Sequence, residues 1–157
     1  MFHSCANLKS FNSDLSSLTI GVGMFHVCHN LTSFSSDLSS LANGMGMFNW
    51  CKALTSFSAD LSSLTDGSSM FSNCSNLTTF SSKISSIKSG YEMFKSCKLN
   101  EDSLISIANN INDVSDLDKE KGEDWTYEVL GVTNTIDKLY RGRIDIGHAD
   151  DVPSIIL

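Results

Sequence analysis

The apolar residues of the first hundred positions recur at fixed places in a unit of 23 residues. Counting each unit from its methionine (Met1, Met24, Met47, Met70 and Met93), the apolar positions are 1, 2, 5, 8, 11, 15 and 18. In the second unit they are Met24, Phe25, Cys28, Leu31, Phe34, Leu38 and Leu41. Position 8 is Leu8, Leu31, Leu54 and Leu77; position 11 is Phe11, Phe34, Phe57 and Phe80. Positions 15 and 18 are leucine until Ile84 and Ile87 take over in the fourth unit. Self-similarity at such a period is the signature of a repeat array. One unit alone buries too little apolar surface to offset the ordering of its backbone, so stability has to come from stacking unit on unit.

Within a unit, the segment Leu-Thr-Ser-Phe is the expected strand, since it holds β-branched and aromatic residues and no strong helix former. Asn7, Asn30 and Asn76 precede it, placed to satisfy backbone groups of the next coil with their amides. Leu15 to Leu18 and its equivalents predict a turn of irregular or 3₁₀ backbone. Gly21, Gly44, Gly67 and Gly90 stand in strict register at the close of the unit, where a positive φ is expected.

The fifth unit breaks off. Asn100, Glu101, Asp102 and Ser103 read as a helix start with acids in its first turn. Leu104, Ile107, Ala108 and Ile111 follow on one face, predicting an amphipathic helix over about 101–111 that closes the open end as a cap. A charged loop over 113–124 and short strands at 125–130 and 143–146 are expected beyond it. The organisation is thus a repeat β-solenoid over 1–98 and a C-terminal cap over 99–157. Met1 sits at repeat position 1, as an internal methionine of a longer array would, and the apolar end Ile155, Ile156 and Leu157 suits a contact with a partner.

A formal charge of −7 argues against non-specific nucleic-acid binding, which needs clustered Lys and Arg. No apolar run is long enough to span a membrane, and no basic-then-apolar segment opens the chain. Cys5, Cys28, Cys51, Cys74 and Cys97 fill one repeat position and form a column. With no Cys-x-x-Cys pair for zinc, buried free thiols are the favoured reading, and disulfide pairing or metal binding the alternative.

If Leu8 and Phe11 point inward, the residues between and after them form an outward polar face. Lys9, Asn12, Thr32, Ser35, Thr55, Ser58, Thr78 and Ser81 are its candidate binding residues. Trp50 and Tyr91, with His26 and His29, are the more anchor-like side chains, since affinity concentrates on aromatic and arginine residues. Asp14, Asp37 and Asp60 stack three carboxylates in one column. Calcium is one reading of that column; carboxylates accepting backbone N–H groups in turns are the commoner one. No catalytic constellation or cofactor motif emerges. The serines repeat, whereas active sites are unique, and His148 beside Asp150 and Asp151 lacks a nucleophile. A non-enzymatic protein without cofactor or structural metal is expected.

The phrase Met-Phe-x-x-Cys-x-Asn-Leu-Thr-Ser-Phe at a 23-residue period resembles the BspA-type leucine-rich repeats of bacterial surface proteins and gut phage tail-associated proteins. Phe34 to Leu41, Phe-Ser-Ser-Asp-Leu-Ser-Ser-Leu, is close to the phage and gut-bacterial versions, while Ser13 and Asp14 stand where commoner members have an aliphatic residue and a proline. The resemblance implies a curved β-solenoid for adhesion or recognition, outside the cell on a bacterial surface or a virion, with a protein or glycan ligand. The second reading is a structural spacer or assembly element joined to other subunits.

Overall fold

The computed structural model describes residues 2–110, and within them the units form successive coils of one stack. The elements are β1 (Ser10–Phe11), β2 (Ser33–Phe34), β3 (Ser56–Phe57), β4 (Thr79–Phe80) and α1 (Glu101–Asn110). β1 pairs with β2, and β3 with β4, each in parallel and in strict repeat register: Ser10 faces Ser33 and Ser56 faces Thr79. The strand is shorter than the Leu-Thr-Ser-Phe segment, which supplies only its last two residues. A second parallel ladder, not anticipated, runs through position 20 as Ile20, Asn43, Asp66 and Ser89 without a break. The expected 15-to-18 turn is present, Leu41 N–H donating to the Leu38 carbonyl at 2.9 Å and Leu64 to Leu61 at 2.9 Å.

Between position 20 and position 5 the backbone N–H groups alternate between two kinds of partner. One closes a turn onto the residue three before it: Met47 to Gly44 at 2.9 Å, Cys51 to Phe48 at 3.0 Å. The next reaches across to the following coil: Phe48 to Met70 and Trp50 to Ser72, both at 2.9 Å. Every backbone group so buried needs a partner, and this division supplies one without long strands.

Two of the turns in each coil hold their third residue at positive φ. That residue is position 23, Gly23 at 58° and Gly46 at 61°, and position 4, Ser4, Val27, Trp50 and Asn73 at 59–64°. The glycine column at position 21 therefore has a different cause from the one expected. Gly21, Gly44 and Gly67 do not lie in the left-handed region; they are close approaches. A Cβ on Gly44 would stand 3.1 Å from Met70 Sδ and 3.2 Å from Leu41 and Leu64 methyls, and one on Gly21 only 2.9 Å from Met47 Sδ. Glycine lets the methionine 26 residues on, in the adjacent turn of the stack, lie against the backbone.

The interior is two columns of phenyl rings. Phe2, Phe25, Phe48, Phe71 and Phe94 stack nearly parallel, 5.4–5.7 Å between centroids, and Phe11, Phe34, Phe57 and Phe80 stack beside them. The columns meet edge to face, as at Phe48 and Phe57, 5.2 Å apart at 62°, the geometry that aromatic quadrupoles favour. Leu31, Leu54, Leu77 and the position-18 leucines Leu41 and Leu64, all without accessible surface, complete the core.

The cysteines are free. Each thiol donates to the position-2 carbonyl of the coil before it: Cys28 to Phe2 at 2.9 Å, Cys51 to Phe25 at 3.2 Å, Cys74 to Phe48 at 3.1 Å, Cys97 to Phe71 at 3.2 Å. That carbonyl already accepts the turn N–H, so the thiol fills its second lone pair. Burial pushes Cys51 and Cys97 up to about 12, and Cys74 well above its ordinary value. These are inert, hydrogen-bonded core residues.

At the C-terminal side α1 lies against β4. Asn100 is the N-cap, its Oδ1 accepting the Ser103 N–H at 3.0 Å, while Leu104 N–H makes the first helical bond to the Asn100 carbonyl. Ser103 Oγ in turn accepts the Phe80 N–H at 2.8 Å, giving β4 the partner that a further coil would otherwise provide. Leu104 and Ile107 face the core. Ile111, the predicted loop and strands beyond it, and the cluster at His148 lie outside the described residues.

Candidate functional site

The polar face exists. Lys9, Asn12, Thr32, Ser35, Thr55, Ser58, Thr78 and Ser81 are all exposed along the flank marked by β1 to β4. Their hydroxyls are not all open, however. Thr32 Oγ1 donates to the Lys9 carbonyl at 2.9 Å and Thr78 Oγ1 to the Thr55 carbonyl at 3.3 Å, so these threonines brace coil against coil. Of the asparagines expected to do that work, Asn30 does, its amide donating to the Ala6 carbonyl.

The aspartate column is engaged locally. Asp14, Asp37 and Asp60 each accept the backbone N–H two residues on, from Ser16, Ser39 and Ser62, at 2.8–2.9 Å. Those hydrogen bonds hold the carboxyls of Asp14 and Asp37 below the usual carboxylate range. A second such column, Asn43 and Asp66 at position 20, does the same for Met45 and Ser68. Among the described residues no three acidic, histidine or cysteine side chains come together to hold a metal ion.

Trp50 and Tyr91 are exposed, by 39% and 59%, but occupy different positions of different coils, and no ring contact joins them among the described residues. Trp50 has company of its own. Lys52 Nζ lies 4.8 Å from the centroid of its ring, and His29 Nδ1 lies 3.0 Å from its carbonyl oxygen. A carbonyl only accepts, so Nδ1 is the nitrogen that carries the proton in this contact. His26 and His3 pack ring on ring, with centroids 4.9 Å apart. Burial, and then the neighbouring His3 and His29, hold His26 below its ordinary value. The backbone of Trp50 and of Val27 is left-handed, which a bulky or β-branched side chain adopts only at a cost.

His3, His26, His29, Trp50 and Lys52 thus make a run over the first three coils at positions 3, 4 and 6. Sequence reasoning singled out Trp50, His26 and His29 but not His3 or Lys52. The available signal was register: His3 and His26 are 23 apart, and so are His29 and Lys52.

Stacked coils of this length, with paired core columns and short parallel strands, define a leucine-rich-repeat solenoid. The family model described as the BspA type leucine rich repeat region matches residues 1–116 in six copies, and the chain belongs to that family. No curated protein and no solved structure matches it. Leucine-rich repeats of this kind generally mediate protein binding or adhesion and are typically non-enzymatic, and the BspA type is associated with bacterial surface proteins. Among the described residues no helix is long and apolar enough to cross a membrane.

Proposed function

We propose that this chain is a non-enzymatic recognition or adhesion module, displayed on a bacterial surface or a phage particle, that binds a protein or glycan ligand on the outside of its coils. One observation carries the reading: the side chains that fill the interior are nearly identical from coil to coil, while those at positions 3, 4 and 6 change, among them the exposed His3, Trp50, Lys52 and Lys95. His3, His26, Asn49, Ser72 and Lys95 share position 3; Ser4, Val27, Trp50, Asn73 and Ser96 share position 4. A rigid body with a varied surface is suited to recognition. α1 serves as the cap that ends the stack, because Ser103 and the Leu104 and Ile107 side chains supply what a further coil would.

Screening the folded chain against a glycan array and against host-cell surfaces tests the reading, and saturable binding lost on changing an exposed coil residue is the expected result. No binding on either panel counts against it. The second reading is a structural spacer or assembly element of a larger surface or virion protein. Light scattering after size exclusion separates the two, since obligate association supports the spacer and a ligand-binding monomer supports recognition.

A further inference from the structure

We infer that His3, His26, His29, Trp50 and Lys52 form a binding site for a carboxylated sugar, engaged most strongly at mildly acidic pH; the inference rests on the recognition reading above and names the ligand class of one surface. The protein as a whole carries −7, yet this patch contains only basic and neutral groups. Lys52 makes no ion pair among the described residues; its ammonium lies over Trp50. Lys95, which shares position 3 with His3 and His26, is by contrast ion-paired with Glu92. The charges acting on His26 are those of His3 from the first coil and His29 from its own, both basic. From the third coil it is Asn49 that shares its position.

Protonating such a cluster without an anion sets like charges side by side, and a carboxylate bound among them removes that penalty. His29 is oriented in advance, because its Nδ1 is committed to the Trp50 carbonyl. An exposed indole beside a cationic group fits a sugar ring, whose C–H face packs on an aromatic surface while its carboxylate reaches the charge. Trp50 is also held left-handed where Asn73, the next coil's equivalent, is a residue suited to that conformation.

The test is calorimetric titration of the full chain with trigalacturonic acid and with sialyllactose, at pH 5.5 and pH 7.5, with lactose as the neutral control. At least one acidic sugar should bind, about tenfold or more tighter at the lower pH; which one binds identifies a uronic or a sialic acid as the source. Trp50→Asn and Lys52→Gln should each weaken it by about tenfold, with Lys95→Gln unchanged. Circular dichroism confirms that each variant is folded. No heat from either acidic sugar, equal binding of lactose, or binding indifferent to both variants overturns the site. Should the array or cell screen meanwhile yield a ligand whose binding survives Trp50→Asn, the module reading stands and this site alone falls.

Discussion

Positions 2 and 3 of a coil are neighbours in the chain and opposites in the fold. Position 2 is Phe2, Phe25, Phe48, Phe71 and Phe94, each ring stacked on the same ring above or below. Position 3 is two histidines, an asparagine, a serine and a lysine, with His3 and Lys95 exposed, His26 and Asn49 half-buried and Ser72 covered. The difference teaches where selection for stacking ends. A residue whose neighbours are copies of itself is constrained from both sides; a residue that meets solvent answers only to its own coil and to whatever binds it.

That contrast is most severely disturbed from the inside. Phe48 stacks on Phe25 and Phe71 and meets Phe34 and Phe57 edge-on. Phe48→Ala should cost about 3–5 kcal/mol in denaturant unfolding. A loss below about 1 kcal/mol would show that the ring column is not the scaffold.

Alkali should reach the same interior more gradually. The folded values of Cys51 and Cys97 are raised to about 12 from an ordinary 9.0. Below pH 9 both states keep the proton and the thiol contribution is intact. Between about pH 9 and 12 the unfolded chain releases protons that the folded one holds, so stability falls with rising pH. A melting temperature flat across that window contradicts the burial of the thiols.

At the end of the stack Ser103→Ala removes the acceptor for the Phe80 N–H and should cost about 1–3 kcal/mol. Hydrogen exchange should show α1 and β4 loosening together while the middle coils keep their protection. A smaller change of opposite sign is expected at position 13, where Ser36 and Ser82 bury a hydroxyl with no partner among the described residues. Ser82→Ala copies Ala59 of the third coil and should raise stability by about 1 kcal/mol, read from the unfolding midpoint.

Sequence made the interior legible because a 23-residue period puts identical side chains in one column, and columns can be counted without knowing the backbone path. The turn chemistry was less open to view. Positive φ was expected at Gly21 and its equivalents, because glycine is its usual marker; the left-handed residues stand instead at position 23, where glycine marks them only at Gly23 and Gly46, and at position 4, where Val27, Trp50 and Asn73 share no common signal. Gly21 is there for Met47, a contact with the adjacent turn that only stacking reveals. The polar face was foreseen in its membership. Which hydroxyls it leaves open was not, since Thr32 and Thr78 donate to carbonyls that lie one whole coil away. The patch at Trp50 was half visible: its aromatic and two histidines stand out by type, while His3 and Lys52 join it through register.

A scaffold lies inside and the proposed recognition surface outside, and Trp50 is where the two roles can be told apart. An indole that serves packing would be missed by the fold; one that serves contact would not. The direct measurement is the melting temperature of Trp50→Asn, which places at position 4 the residue already present at Asn73. Relief of the left-handed strain offsets the lost contact with Lys52, so stability should stay within about 1 kcal/mol of the parent. A drop of more than about 2 kcal/mol, as expected for truncating a core aromatic, would assign Trp50 to the scaffold and contradict its role as a contact residue.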